Sequence, residues 1–193
     1  MASHEGLLFR IAREADIPAI KALAEKTWWA HYPAIIGQDA TEYMLQKMYH
    51  TGALLSQMQG GHRFMLAEDE GALVGFLSYE DKGEVAAPKR GASMQKTPPV
   101  MVPLLFVHKF YVDSDKHRSG IGSALLQALV SEGDKSGMQS RLYRLHVNRD
   151  NHKPIAFYKR HGFVCVGEND TPLGEGYFMY DFVFERLVSS SNS

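Results

Sequence analysis

The sequence is poor in features that mark several common classes of protein. It has one cysteine, Cys165, so no internal disulfide can form. We predict this residue to be a small core side chain of the strand-like segment FVCVG. No apolar run approaches the length of a membrane span, and the first residues, MASHEG, lack the apolar core of a signal peptide and carry Ala2 where myristoylation needs a glycine. These absences predict a cytoplasmic protein without a membrane anchor.

The chain also lacks an excess of charge of either sign. Its formal net charge is −1, and its Lys and Arg residues are scattered rather than gathered in a run, so we expect no nucleic-acid partner. A chain of this size buries roughly 70% of its unfolded surface, which is enough for one core. We therefore expect a single domain over residues 1–188, followed by a disordered tail, SSSNS, at residues 189–193.

What the sequence does contain is a pair of closely spaced glycines between a strand and a helix. The segment HRSGIG, residues 117–122, follows a strand-like run, Leu104 to Val112, and precedes a helix-like run from Ser123 to about Glu132. The N–H groups of such a helix start lie at the positive end of the helix dipole. Because glycine has no side chain to block a phosphate, the turn is predicted to hold an anion, with Arg118 adding a charged contact.

The glycine turn alone leaves the identity of its ligand open. A dinucleotide fingerprint would need glycine at position 125, where the chain has Leu125. The phosphate loop of nucleoside triphosphatases would need a Lys after the second glycine of its motif, and none stands there. Both interpretations are excluded. A helix start that merely contains glycines remains an alternative to an anion site.

A second motif lies downstream. Residues 142–163 read LYRLHVNRDNHKPIAFYKRHGF, which predicts a strand, a polar turn, a short helix beginning near Lys153 and a Gly-Phe stop. Together with HRSGIG, this resembles the GNAT superfamily of N-acetyltransferases. In that family, one turn has the pattern Gln or Arg, two residues, Gly, one residue, then Gly or Ala. A later segment has the pattern N-x-x-A-x-x-hydrophobic-Tyr and is followed by Gly-Phe. His117 stands where Gln or Arg is usual, and Pro154 replaces the Ala at a position that suits the first turn of a helix.

The predicted order of elements extends the resemblance over almost the whole chain. Asp16 is a predicted N-cap for a helix, a second helical region runs over Ala40–Gln59 with a break near Thr51-Gly52, and residues 81–103 form a long loop. The first helix has one apolar face of Ile17, Ile20, Leu23, Ala24 and Trp28. Strands are predicted at Leu8–Arg13, His62–Glu68, Ala72–Tyr79, Leu104–Val112, Arg141–Val147, Phe163–Glu168 and Tyr177–Phe184.

The resemblance implies an α/β (α+β) fold class with a mixed, splayed central sheet of about seven strands flanked by about four helices. It also implies acetyl-CoA as the acetyl donor and no metal. The pantetheine arm would pair with the backbone of Phe110, Tyr111 and Val112 like an extra strand and accept a hydrogen bond from Asn151. The pyrophosphate would lie on Arg118, Ser119, Gly120, Ile121, Gly122 and Ser123.

The reaction needs a proton donor for the leaving thiolate and a way to deprotonate the amine. The resemblance assigns the first role to Tyr158. For the second we favour His108, since imidazole titrates near neutral pH, and Glu80, acting through a water molecule, is the competitor. The histidines show no metal-ligand spacing such as HExxH, so we predict no metal.

In this family the first two helices and their connection select the acceptor. Trp28, Trp29, His31 and Tyr32 are predicted to wall a pocket for a cationic amine, with Glu80 nearby, although half of these aromatic residues suit a plain core equally well. We expect a small primary amine such as a polyamine, as in bacterial polyamine acetyltransferase-like proteins. A protein or peptide amine acceptor and a non-catalytic acyl-CoA-binding module are the alternatives, and a homodimer is one option for the assembly.

Overall fold

The computed structural model describes residues 6–88, 100–116, 119–134 and 140–189. The helices are α1 Ile17–His31, α2 Pro33–Ile36, α3 Gln38–Tyr49, α4 Thr51–Gln59, α5 Ile121–Asp134 and α6 His152–Arg160. The strands are β1 Leu7–Ile11, β2 Arg63–Asp69, β3 Ala72–Ala86, β4 Met101–Val112, β5 Ser140–Asn148, β6 Val164–Gly174 and β7 Tyr177–Ser189. No helix among the described residues is long and apolar enough to cross a membrane.

The seven strands form one mixed sheet in the order β1-β2-β3-β4-β5-β7-β6. Strands β1 and β2, β2 and β3, β5 and β7, and β6 and β7 pair antiparallel. Strands β4 and β5 pair in parallel over Leu104–Val107 and Leu142–Leu145. This architecture confirms the predicted fold class, with two more helices than expected because α2 is a separate short helix and the Ala40–Gln59 region is divided in two.

The described residues fall into two compact units, and β3 and β4 each contribute to both. One unit extends to Tyr79 and adds His108–Leu129, and the other comprises Glu80–Val107 and the chain from Val130 onward. A single domain over residues 1–188 stays a prediction.

In the first unit, α1 buries the apolar face that its sequence predicts, and it packs against α3 and α4. Asp16 stands at the N-cap position, but its carboxylate does not cap the helix. It accepts hydrogen bonds from Arg10 at 2.8 Å and from the Arg13 N–H at 2.7 Å. The Arg10 guanidinium lowers the pKa of Asp16 to about 2. The Asp16 carboxylate therefore links β1 to the start of α1 and does not cap the helix.

The break between α3 and α4 falls at His50, next to its predicted position. His50 is extended, and its Nδ1 accepts a hydrogen bond from the Ala53 N–H at 3.2 Å. The imidazole thus takes the N-cap role that Ser, Thr, Asp or Asn fills in most helices. The hairpin of β2 and β3 turns at Glu70 and Gly71, both at positive φ, as a two-residue type I′ turn requires.

In the second unit, the predicted bounds of the loop over residues 81–103 are wrong at both ends. Strand β3 continues to Ala86 and β4 begins at Met101. These extensions bury Val102 and Leu104 with Leu142, and Val85, Ala87 and Leu187 pack against them. Residues 89–99 lie outside the described part of the chain. The polar composition concealed the strands because few of their residues alternate clearly between apolar and polar.

The β6–β7 hairpin is also longer than its sequence predicts, and it turns at Glu175 and Gly176, both at positive φ. Cys165 is exposed, so its prediction as a core residue is wrong. Strand β6 lies at the edge of the sheet, and most of its residues are exposed. The side chains of this strand are therefore less buried than the sequence predicts. Strand β7 continues to Ser189, the first residue of the predicted tail, and residues 190–193 lie outside the described chain.

Candidate active site

The predicted anion site lies at the start of α5, in the first unit. Gly120 has a φ of +85°, a conformation that side chains rarely adopt, and its carbonyl accepts the first helical bond, from the Ala124 N–H at 3.0 Å. The N–H groups of Ile121, Gly122 and Ser123 therefore form the amide end of a 14-residue helix. His117 and Arg118 lie outside the described residues, so the charged contact predicted for Arg118 stays a prediction.

Just before this turn, Ser119 is tied to the preceding 3-10 helix, Ser114–Lys116. The Ser119 hydroxyl donates to the Lys116 carbonyl at 2.5 Å, and the Ser119 N–H reaches the same oxygen at 3.4 Å. The side chain of Ile121 is buried, whereas Ser119 and Ser123 are exposed. The turn thus has an anchored inner side and an accessible outer side, as a binding site for an anion requires.

A glycine that sequence analysis missed determines how closely the sheet approaches this turn. A Cβ at Gly75, on β3, would lie 3.1 Å from the Tyr111 carbonyl oxygen and 3.5 Å from side-chain atoms of Ile121 and Val112. The neighbouring Val74 carbonyl accepts from the Asp113 N–H at 2.9 Å. A glycine inside a strand is the sequence signal for such close approach, so Gly75 was detectable in principle.

The last residues of β4, Phe110, Tyr111 and Val112, are half-buried. The Tyr111 hydroxyl accepts hydrogen bonds from the Trp28 indole N–H at 3.0 Å and from the Tyr49 hydroxyl at 2.9 Å. The end of β4 is therefore joined to α1 and α3 through one oxygen atom. Sequence analysis selected Tyr111 for its backbone and did not predict this side-chain role.

Three of the four predicted acceptor-pocket residues lie together. The rings of Trp28 and Tyr32 stack with centroids 4.1 Å apart, and His31 meets Tyr32 edge-on at 5.5 Å. Trp28 is 3% exposed, so it lies behind Tyr32 rather than on the surface. Trp29 is 46% exposed and makes no ring contact with the other three in the described structure.

His108, the candidate base, is exposed on β4 and stacks on His62 with ring centroids 4.2 Å apart. The sequence gives no signal for this pair because the two histidines lie far apart along the chain. The next residue, Lys109, is 4% exposed, and its Nζ donates to the Gln57 Oε1 at 2.7 Å. Burial lowers the pKa of Lys109 to about 8. A buried lysine on the candidate cofactor strand was also not predicted.

The other candidate residues belong to the second unit. Asn151 is 5% exposed and precedes α6, and its side chain does not cap that helix. Tyr158 is buried on α6 against Phe163 and Phe184, with ring centroids 5.6 and 6.4 Å away. The helix starts at His152, one residue before its predicted start, and ends at the Gly-Phe stop, where Gly162 has a φ of +79°. Glu80 pairs with Lys82 at 2.7 Å.

A mixed sheet with one parallel strand pair, and a helix start with glycine after the first strand of that pair, is the arrangement that the sequence motifs predict. The family model described as Acetyltransferase (GNAT) family matches residues 22–163, and the chain belongs to this family. It is accordingly an N-acetyltransferase that uses acetyl-CoA as its co-substrate.

Solved structures of known proteins share the fold. The PaiA N-acetyltransferase of Thermoplasma acidophilum in complex with coenzyme A is 20% identical, with a TM-score of 0.68 over 94% of this chain and 98% of that one. The ribosomal-protein-S18-alanine N-acetyltransferase of Escherichia coli is 17% identical, with a TM-score of 0.63 over 97% of both chains. Ard1 of Thermoplasma volcanium is 21% identical, with a TM-score of 0.63 over 96% and 99%. No curated protein matches the sequence.

Proposed function

We propose that this enzyme transfers the acetyl group of acetyl-CoA to the primary amine of a small cationic molecule, such as a polyamine, by direct attack of the amine on the thioester. The observation that carries the choice of acceptor is the stacked cluster of Trp28, His31 and Tyr32. Aromatic ring faces attract ammonium groups, and both His31 and Tyr32 are partly exposed. Trp28 supports Tyr32 from behind.

In this proposal, backbone groups bind most of the acetyl donor. Its pyrophosphate binds the amides of Ser119 to Ser123, with Arg118 as a further contact, and its pantetheine arm pairs with the backbone of Phe110 to Val112. Asn151 donates a hydrogen bond to the same arm. The geometry that supports the phosphate position is the positive φ of Gly120, a glycine conformation directly before the first amides of α5.

The chemical step forms a C–N bond and breaks the C–S bond. The reacting ammonium first loses one proton, and the neutral nitrogen then attacks the thioester carbon. The electron pair of the C–S bond goes to sulfur, which takes a proton from the Tyr158 hydroxyl. The acylated nitrogen releases its second proton to solvent, and the Tyr158 phenolate takes one proton back from solvent, so the products are the acetylated amine and CoA.

His108 is the proposed acceptor of the first proton, and Glu80, acting through a water molecule, is the alternative. His108→Gln should lower turnover while leaving the affinity for acetyl-CoA unchanged. His62→Gln, which changes the stacking partner, is the matched control. Equal losses of turnover in both variants would assign a structural role to the stack of His62 and His108. Unchanged turnover in both variants would favour Glu80 as the base.

The acceptor class is tested by measuring CoA release with a thiol reagent over a panel of amines. We expect turnover with diamines and polyamines, and little with peptides. A second candidate acceptor is a protein N-terminus, because the neighbour from Escherichia coli is named as a ribosomal-protein-S18-alanine N-acetyltransferase. Release with an alanine-terminated peptide, and with no small amine, would establish that candidate instead.

The role of Tyr158 is tested by Tyr158→Phe, which keeps the ring contacts with Phe163 and Phe184. General acid catalysis is typically worth about 100-fold to 10,000-fold in rate, so turnover should fall strongly while acetyl-CoA affinity stays the same. Tyr180→Phe, on an exposed tyrosine of β7, is the control and should leave turnover unchanged. Turnover of Tyr158→Phe within about two-fold of wild type would remove the hydroxyl from the mechanism.

A further inference from the structure

Helix α1 carries a lysine that contacts two acidic side chains just before the glycine turn of the first unit. The Nζ of Lys26 lies 2.6 Å from Asp113 Oδ1 and 2.6 Å from Asp115 Oδ2. The proposed mechanism does not use this lysine, and its sequence context gives no signal for it. The contact joins α1 to the segment of chain that leads from β4 to α5.

That segment is folded by its own polar groups. Asp113 Oδ1 accepts from the Asp115 N–H at 3.0 Å, and the Asp113 carbonyl accepts from the Lys116 N–H at 3.0 Å. An aspartate that bonds to the chain two residues ahead is a common device for starting a turn. The oxygen that starts this turn is also the one that binds Lys26, so a single atom links α1 to the 3-10 helix Ser114–Lys116.

The 3-10 helix in turn determines where the proposed phosphate site begins. Both the hydroxyl and the N–H of Ser119 bond to the Lys116 carbonyl. Gly120 follows directly, and its carbonyl begins α5. A displacement of the 3-10 helix would therefore move Ser119 and the amides after it. Because hydrogen bonds weaken steeply when their distance and angle depart from the optimum, a backbone site is sensitive to such a shift.

Charge also makes the lysine necessary at this place. Two carboxylates on one short segment repel each other, and they repel a diphosphate bound nearby. The ammonium group of Lys26 contacts both and balances part of their charge. The side chain of Asp113 is 18% exposed and that of Asp115 is 75% exposed, so the pair with Asp113 is the less screened of the two. Hydrogen bonds to Asp113 and then to Asp115 raise the pKa of Lys26, which keeps it charged at neutral pH.

A second lysine of α1 shows the difference between this contact and an ordinary surface pair. Lys21 binds Glu25 at 3.0 Å, one turn further along the same helix. A pair of that kind stabilises a helix slightly and joins it to no other element. Lys26 instead connects residues that are 89 positions apart in the case of Asp115.

We propose that Lys26 is a positioning residue for the acetyl donor, which holds the 3-10 helix Ser114–Lys116 against α1 and thereby fixes Ser119 and the amides that bind the pyrophosphate. Lys26 acts through Asp113 and not by contact with the donor. This inference rests on the phosphate position given in the proposed function, and it adds a residue of α1 to the determinants of donor affinity.

The test is a calorimetric titration of the full-length protein with CoA, without any amine. Lys26→Met removes the charge and keeps a long side chain, and we expect CoA affinity to fall by about three- to ten-fold, as for the loss of two partly exposed ion pairs. Lys26→Arg should stay within about two-fold of wild type, because a guanidinium can bind both carboxylates. Lys21→Met is the matched control on the same helix, with an expected change below about two-fold.

Asp113→Asn separates positioning from a simple effect of charge. It keeps an acceptor oxygen for the Asp115 N–H and removes the charge that Lys26 binds. Positioning predicts weaker CoA binding in this variant, and no further loss when it is combined with Lys26→Met, since both act on one contact. If Lys26 bound the donor directly or acted only by its charge, removal of a negative charge would leave CoA binding unchanged or strengthen it. Urea denaturation of each variant checks that the fold is retained.

CoA affinity within about two-fold of wild type in Lys26→Met would overturn the inference. So would equal losses in Lys26→Arg and Lys26→Met, or unchanged or tighter binding in Asp113→Asn. The choice of acceptor does not enter, because no amine is present. Gly122→Asp, titrated alongside, separates the two proposals about the donor. Lost affinity in Gly122→Asp with unchanged affinity in Lys26→Met would refute the role of Lys26 alone, whereas unchanged affinity in Gly122→Asp would refute the phosphate position itself.

Discussion

Two regions of the first unit, which we propose bind the two substrates, are built by different physical means. The start of α5, Ser119 to Ser123, offers backbone amides made accessible by glycine. The region of α1 and α3 that adjoins β4 is built from side chains, with Trp28 and Tyr49 bonded to the Tyr111 hydroxyl. A backbone site depends on the absence of side chains and is therefore intolerant of bulk. A side-chain site depends on which residues are buried together, so its chemistry can change without a change in fold.

The largest effect should come from Gly122→Asp at the backbone site. Gly122 does not have a positive φ, so the substitution does not strain the turn, and an acidic residue in the first helical turn favours the helix. The new carboxylate would face the pyrophosphate, and we expect acetyl-CoA affinity to fall by about 100-fold or more in calorimetry because like charges repel in a site lined by amides.

Gly122→Ala is the control for bulk alone and should retain more affinity than Gly122→Asp. Gly120→Val is a less informative variant, since a residue with a φ of +85° strains the chain before any ligand binds. Unchanged affinity in a folded Gly122→Asp protein would place the phosphate elsewhere.

The next effect concerns stability rather than affinity, and it is expected at the side-chain region, where Lys109 is buried beside Gln57 and over the rings of Tyr49 and Phe64. Its pKa is lowered from 10.5 to about 8 by burial. Between these values the unfolded chain binds more protons than the folded one, so the free energy of unfolding should rise as pH increases from about 8 to 10.5, by up to about 3 kcal/mol.

Chemical denaturation over that pH range, compared with Lys109→Met, measures this rise. The Met variant should lack it, and Lys47→Met, at an exposed lysine of α3, should retain it. A rise of the same size in Lys109→Met would show that other groups cause it and that Lys109 is charged at little cost.

The smallest effect should come from Tyr111→Phe. The ring keeps its contact with Phe76, at 5.5 Å between centroids, but the Trp28 N–H and the Tyr49 hydroxyl lose their shared acceptor. Unsatisfied buried donors cost about 1–3 kcal/mol, so we expect a loss of about 2 kcal/mol in the free energy of unfolding and a raised acceptor KM. Tyr180→Phe is the matched control, and a loss of stability with an unchanged acceptor KM would contradict a role of Tyr111 in positioning the acceptor cluster.

The candidate sites differ in how far they could be predicted from the sequence. Gly120 and Gly122 were predictable because a strand, a glycine turn and a helix are contiguous, and local geometry follows from local residues. Gly75 carries the weaker signal of a glycine in a strand, and its role depends on the distant Tyr111 carbonyl. Cys165 was assigned wrongly because an apolar segment does not reveal that its strand lies at the edge of a sheet.

The predicted loop over residues 81–103 shows a related limit. Val85 packs against the cluster that contains Leu104 and Leu142, and this packing stabilises the strand extensions at both ends. The polar sequence has no periodic pattern that predicts this packing. The acceptor cluster was predicted as four residues, whereas helical geometry groups Trp28, His31 and Tyr32 and leaves Trp29 46% exposed.

The sequence by itself predicted the family and the acetyl donor, which the family match confirms. It also predicts a backbone site for the phosphates of that donor, because all three predictions depend on motifs that are short and contiguous. The tertiary structure alone decided that Lys109 and Asp181 are buried, and that the Arg149 guanidinium pairs with acids other than Asp181. The sequence alone does not distinguish Lys109 or Asp181 from an ordinary surface charge. Charge becomes costly or useful only where burial removes water, and burial is set by strands and helices that meet from distant parts of the chain.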